Sequence, residues 1–214
     1  MWDKMVSAQY RRPSGLLGRW IGRRMARQHQ PENQWTIDLL DARPDDRILE
    51  IGFGAGVAIY ALARQVTRGL IAGIDYSRTM VAMARRCNQK AIHSGLVDIR
   101  YGEASILPFD DQHFDKVFSI HSIYFWSRPM QVLQEIHRVL SDNGTLILTL
   151  LPEDSDDSPD GESVPGTMAF TPYSGAQIKQ MLHEVGFATV TIAVDSAQRS
   201  PSNYSVVAVK SSML

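Results

Sequence analysis

Ile48-Leu49-Glu50-Ile51-Gly52-Phe53-Gly54-Ala55-Gly56-Val57 is the stretch on which the fold turns. Arg47 to Ile51 is a short apolar-rich run, three glycines follow at alternate positions, and from Val57 to Val66 the spacing of Ala58, Tyr60, Ala61, Leu62 and Ala63 becomes helical. The reading is strand, glycine turn, helix. Glycines let the backbone approach a ligand closely, and the start of the helix offers free N–H groups to an anion. A dinucleotide fingerprint would need Gly or Ala at position 57, where Val57 stands. Glu50, two places before the first glycine, would repel a pyrophosphate and suits a ligand carrying an ammonium or a net positive charge.

Outward from this turn the pattern repeats. Leu70 to Ile74 is a second apolar run closed by Asp75, and Ser77 is placed to cap a helix through Met80, Val81, Met83 and Ala84. Val97 to Tyr101 and Lys116 to Ile120 read as strands, with a Pro108-Phe109 loop between them. A helix from Met130 to Leu140, stopping near Asn143 and Gly144, precedes a strand from Thr145 to Leu150. The tail reads as a helix from Ser174 to Val185 closed by Gly186, then strands Ala188 to Val194 and Tyr204 to Val209. The nine residues between those strands are too few for a helical crossover, so they should pair antiparallel. The expected fold is α/β: a Rossmann-like, doubly wound, mostly parallel seven-stranded sheet with an antiparallel C-terminal strand.

The 214 residues are 44% hydrophobic and 21% charged, which sets aside disordered, collagen-like and coiled-coil classes. A net charge of −1 argues against a protein whose whole surface grips nucleic acid. Cys87 is the single cysteine, so an intrachain disulfide and a multi-cysteine metal cluster are excluded, no metal ligands are assigned, and a reducing compartment, the cytoplasm, is expected. The opening Met1-Trp2-Asp3-Lys4 has no apolar h-region and no 18 apolar residues run together, so neither a secretory signal nor a spanning helix is expected. Charge is uneven: residues 1–30 carry seven bases against Asp3, a net of +6, while six acids fall within residues 153–162, which reads as a solvated loop.

Two further acids sit where strands should end. Asp75 could accept both hydroxyls of a ribose, or could simply begin a helix. Glu103, after the third strand, could meet an exocyclic amine, or be an ordinary exposed glutamate.

Four ordered stretches carry a resemblance: residues 48–57, Gly73-Ile74-Asp75-Tyr76-Ser77, Tyr101 through Val117, and Glu135 through Leu148. Together they resemble the class I S-adenosylmethionine-dependent methyltransferases, and more narrowly the small-molecule branch that includes ubiquinone and menaquinone biosynthesis C-methyltransferases. The resemblance covers residues 36 to 151 well and the two ends poorly. It implies S-adenosylmethionine as cofactor and S-adenosylhomocysteine as product. The glycine turn, Gly52, Phe53, Gly54 and Gly56, would hold the methionine part and Glu50 its amino group. Asp75 would take the ribose, Tyr76 would stack on adenine, and Glu103 with Ala104 would meet the adenine edge. Glu103 departs from the family's more usual Asp. A further cofactor contact falls at Ile120 and His121, where Asn or a small polar residue would be less surprising than His121.

The chemistry so implied is an in-line displacement on a sulfonium methyl. Holding the reactants at near-attack distance supplies about 7 to 11 kcal/mol, so a dedicated catalytic residue is not obligatory. Where a proton must leave the acceptor, His121 is the candidate base, set against a histidine that merely contacts cofactor or packs beneath it. Tyr124, Phe125 and Trp126 would line an aromatic acceptor pocket or form a core edge.

Pro13 to Arg27 reads as an amphipathic basic helix, with Leu16, Leu17, Trp20, Ile21 and Met25 on one face and Arg19, Arg23 and Arg27 on another. It could be a lid, a weak membrane-surface contact or a nucleic-acid contact. Residues 1–35 are therefore expected as a basic helical cap and 36–214 as the cofactor-binding domain. The expected activity is methyl transfer to a small, aromatic or apolar acceptor. Its rivals are a cofactor-binding protein without transfer activity, a nucleic-acid or protein methyltransferase using the basic helix, and a nicotinamide oxidoreductase, against which Glu50 and Val57 argue. Ile120-His121-Ser122-Ile123-Tyr124 lacks the Asn/Asp-Pro-Pro-aromatic cluster expected of an enzyme that methylates nucleic-acid amines.

Overall fold

A strand whose apolar side chains point to both faces has to be covered on both sides. β1 (Arg47–Ile51) meets this by lying inside the sheet, paired in parallel with β2 (Leu70–Asp75) and with β4 (Phe114–Ile120). The computed structural model describes residues 13–151, 173–195 and 203–212. With β3 (Val97–Tyr101), β5 (Leu140–Leu150), β6 (Phe187–Val194) and β7 (Tyr204–Lys210) the strands form one seven-stranded sheet, in the order β3-β2-β1-β4-β5-β7-β6. β1 to β5 are mutually parallel, and β7 runs antiparallel between β5 and β6. The expected doubly wound architecture and its antiparallel C-terminal strand are both present.

Successive β1 residues feed opposite cores, as the two-residue period of a strand requires. Ile48, with Ile71 and Phe118, packs against Ile37 and Leu40 of α2 (Gln30–Leu40), Ile59 and Leu62 of α3 (Val57–Leu62), and Val81 and Ala84 of α4 (Arg78–Cys87). Leu49 and Ile51 pack on the other face against Leu133 and Ile136 of α6 (Pro129–Val139) and Ile178 and Leu182 of α7 (Gly175–Val185). α1 (Gly15–Gln28) lies over α4, and the short α5 (Gln89–His93) leads into β3. Ser77 caps α4 as expected, accepting from the Met80 N–H at 3.3 Å, and Ser174 opens α7 with a capping box completed by Gln177.

Several boundaries differ from the sequence reading. α3 is shorter, ending at Leu62 rather than Val66. α6 stops at Val139, because Leu140 is already extended and enters β5 opposite Phe114. Between Leu140 and Thr145 the ladder slips; Asn143, in the left-handed region at φ 62°, makes a bulge inside the strand where a loop was expected. α2 runs unbroken through residues 35 and 36 and buries Ile37 and Leu40. The acidic stretch 153–162 lies outside the described residues. Among those described, no helix is long and apolar enough to cross a membrane.

The order reverses direction between β1 and β4, and a crevice opens at the carboxyl ends of strands at such a switch point. Gly52 leaves one strand there and His121 the other.

Candidate active site

Gly52, Gly54 and Gly56 all take positive φ, at 74°, 52° and 76°, so the chain coils tightly between β1 and α3. Their surroundings differ. A Cβ on Gly54 would meet nothing within 4 Å, leaving its face open. A Cβ on Gly56 would come within 2.6 Å of the Ala84 Cβ and 2.9 Å of the Asn88 amide nitrogen. Gly56 is therefore where α3 and α4 touch, and its carbonyl accepts from Asn88 Nδ2 at 3.0 Å.

Asp75 closes the turn from the neighbouring strand: one carboxylate oxygen accepts from the Gly54 N–H at 3.0 Å, the other from the Ser77 N–H at 2.8 Å. Burial pushes its pKa up to about 6, against the pull of those two N–H groups. Glu50 is only 3% exposed, and its Oε2 has no hydrogen-bond partner among the described residues. Burial, and secondarily the charge of Asp75, push the Glu50 carboxyl up to about 8. Two buried acids side by side, one with an unsatisfied oxygen, make a place that attracts a cation.

These groups face one cavity of about 240 Å³, far above the ~10–15 Å³ that one water fills on the same measure. It is lined by Glu50, Gly52, Phe53, Gly54, Asp75, Tyr76, Glu103, Ala104, Ile120 and His121, ten of the eleven residues expected to contact cofactor. Gly56 is the exception; its place is the helix contact behind the turn. Phe53 lines the wall while its ring is 4% exposed and lies against Gly73 of β2. Glu103 stands exposed at the rim.

The 101–111 loop that carries Glu103 and Ala104 is fastened by α6. Glu135 accepts from the Leu107 N–H at 2.7 Å, and Arg138 donates to the carbonyls of Leu107 at 3.1 Å and Phe109 at 2.9 Å while paired with Glu135 and Asp111. Two of the stretches singled out in the sequence are thus one clamp.

The apolar lining of the same cavity includes residues from distant parts of the chain: Met25 and Ala26 of α1, Phe125 and Trp126 after β4, and Val132 of α6. Tyr124 is not among them. It is 3% exposed, belongs to the core, and accepts from the Leu151 N–H, so the aromatic triplet divides into one core residue and two that line the cavity. α1 forms the roof, packed so closely at Gly22 that a Cβ there would lie 2.6 Å from Met80 Cε. Its start is tethered where Ser77 Oγ donates to the Pro13 carbonyl at 2.6 Å.

His121, at φ 51°, ends β4 beside His29, their rings 4.8 Å apart. Burial, and secondarily the charge on His29, lower its pKa to about 3, so the imidazole is neutral near pH 7. A base so weak is poorly matched to removing a proton near neutrality. The environment therefore works against the base role expected from the sequence. The histidine pair escaped sequence reasoning because it joins residues some ninety positions apart; the available signal was His29 and Glu32, three apart across the start of a helix.

Residues 49–148 match the family described as "Methyltransferase domain". The uncharacterized methyltransferase YdaC of Bacillus subtilis (strain 168) is 31% identical over 137 residues, 64% of this chain and 73% of YdaC. A second protein of that organism, YrhH, is 34% identical over 114 residues, 53% of this chain and 62% of YrhH, so the match reaches less than two thirds of that relative's length. The demethylmenaquinone methyltransferase of Bacillus cytotoxicus is 30% identical over 124 residues, 56% of this chain and 51% of that protein. Among solved structures, a SAM-dependent methyltransferase from Aquifex aeolicus superposes with a TM-score of 0.66 at 22% identity, covering 83% of this chain and 89% of that one, which supports the fold. The domain match together with the likeness to YdaC shows that the chain belongs to the S-adenosylmethionine-dependent methyltransferases.

Proposed function

We propose that this methyltransferase carries the methyl group of S-adenosylmethionine to a small acceptor with an aromatic or apolar body. The supporting observation is the make-up of one cavity, with the acids Glu50, Asp75 and Glu103 along one part and Met25, Ala26, Phe125, Trp126 and Val132 along another. In this reading Glu50 takes the cofactor's ammonium, the open backbone at Gly52 and Gly54 borders its methionine part, and Phe53 and Gly56 support the turn from behind. Asp75 keeps a second lone pair on each oxygen for the ribose hydroxyls, Tyr76 covers the adenine, and Glu103 and Ala104 meet its edge. Ile120 and His121 lie where the methionine part gives way to the acceptor. Sequence relatives named for demethylmenaquinone and 24-methylenesterol methylation are consistent with an apolar acceptor.

Catalysis here rests on placement and on exclusion of water. When bound, S-adenosylmethionine would supply a methyl group already activated by its sulfonium, its sulfur leaving with the electron pair as the acceptor's own pair forms the new bond. α1 serves as the lid, hinged near the Ser77 to Pro13 tether, and it opens to admit the acceptor.

The test offers the purified protein S-adenosylmethionine with a radiolabelled methyl group and, separately, a protein-free organic extract, tRNA and a protein extract. Label in solvent-extractable small molecules is expected. Label confined to tRNA or protein would overturn the acceptor class, and failure to bind S-adenosylhomocysteine in calorimetry would overturn the site.

A further inference from the structure

His29 and Glu32 flank the start of α2, and His121 ends β4. Ligand atoms of the three all lie within 4.8 Å of one another. Both ring nitrogens of His121 are buried with no hydrogen-bond partner among the described residues, and so is Oε2 of Glu32. An imidazole with two shielded nitrogens beside a carboxylate with a shielded oxygen is an expensive arrangement unless something electron-accepting sits between them. Glu32 has an outer support as well: its other oxygen accepts from Asn203 Nδ2 at 3.2 Å, as carboxylate ligands of metals commonly do.

We propose that His29, Glu32 and His121 bind one divalent transition metal, of the zinc or iron(II) class, leaving a coordination position toward the cavity for an oxygen anion of the acceptor. Two imidazoles and one carboxylate are a donor set used by metals with open positions. Metal–ligand bonds of about 2.0–2.2 Å put neighbouring donors about 3.3 Å apart in a tetrahedral site, so the three side chains close in by rather more than an ångström. His29 and His121 both line the cavity, whereas Glu32 lies behind them.

The assignment rests on reading the cavity as a methyl-transfer site and narrows the acceptor. A phenol or enol hydroxyl, losing its proton to solvent as it binds the metal, would be held as the anion facing the methyl donor. The proposed metal departs from the sequence expectation that no metal is bound.

The experiment uses the full chain, stripped with a chelator and free of any polyhistidine tag. Zinc is titrated in competition with a chromogenic chelator, and cobalt(II) is followed by its visible absorption. We expect one zinc per chain and a cobalt spectrum of a four- or five-coordinate nitrogen and oxygen site. Glu32→Gln and His29→Asn should each weaken zinc binding roughly 100-fold and abolish that spectrum, the upper end of what lost support of a ligand costs. Asn is a good helix cap, so His29→Asn keeps the start of α2 intact and guards against loss of folding, which circular dichroism checks. His121→Ala serves as a third variant. No saturable zinc binding, or binding equal in wild type and variants, an adventitious ion only, overturns the metal site. S-adenosylhomocysteine calorimetry on the same zinc-free samples reads the cofactor separately: retained cofactor binding without zinc binding removes the metal alone, and lost cofactor binding removes the methyl-transfer reading.

Discussion

The two ends of the cavity are built differently. At the end bordered by Glu50 and Asp75, hydrogen bonds between side chain and backbone hold the turn: Gly54 and Ser77 donate to Asp75, and Asn88 donates to the Gly56 carbonyl. At the end near His121, the wall is assembled from α1, α2, the turn after β4 and α6, and both ring nitrogens of His121 have no hydrogen-bond partner among the described residues. One end is a motif, with its geometry written into a few consecutive residues. The other is a meeting of remote segments, free to change with the acceptor while the donor stays the same.

The comparison breaks most readily at Gly56. Gly56→Ala forces a side chain into the left-handed region and against Ala84 and Asn88, and should cost about 3 kcal/mol, the sum of backbone strain and overpacking. Urea unfolding measures it, and a loss under about 1 kcal/mol would mean that the α3–α4 contact yields more easily than the geometry implies.

A second test concerns Glu50 and charge. Its folded pKa is raised to about 8, so between about 4.5, the ordinary value, and 8 the folded chain holds a proton that the unfolded chain has released. Stability of the cofactor-free protein should therefore fall as pH rises through that window, with Asp75, raised to about 6, adding to the fall in its lower part. Binding of a cationic cofactor favours the carboxylate, releases the proton, and should tighten as pH rises toward 8. Glu50→Gln should flatten the upper part of the stability profile and weaken S-adenosylhomocysteine binding by about 2 kcal/mol, the scale of a hydrogen bond to a charged group. Thermal melts and calorimetry across pH read both effects; a Gln variant with unchanged affinity would detach Glu50 from the ligand.

The smallest effect is expected on the outside of the roof. Trp20 is 59% exposed beside the exposed Arg19, Arg23, Arg24 and Arg27, a combination suited to weak contact with an anionic membrane surface. Trp20→Ser should leave stability within about 0.5 kcal/mol while reducing sedimentation with anionic vesicles at low salt. Wild-type protein that fails to sediment with such vesicles would confine α1 to its role over the cavity.

The same contrast governs what could be read from the sequence. The β1 turn, Asp75, the Ser77 cap and the paired final strands were legible, because each depends on residue types at fixed local spacing. Gly56 was legible as part of the turn but not as a helix contact, since Ala84 belongs to α4 and Asn88 caps its end. Tyr124 could not be told from Phe125 and Trp126 by spacing, because the short helical turn that separates them follows no strand or helix period. His121 was found, but its neighbours were not: His29 and Glu32 reach it only through the packing of α2 against β4 and β5.

β7 is hydrogen-bonded on both sides, to β5 and to β6. The last strand in sequence is thus an inner rib of the sheet. During synthesis β6 emerges without its neighbour, and it stays cut off from the other five strands until residues 204–210 have left the ribosome. Without β7, β5 would present an unpaired edge and β6 would have no strand beside it, so the order of the sheet depends on residues 204–210.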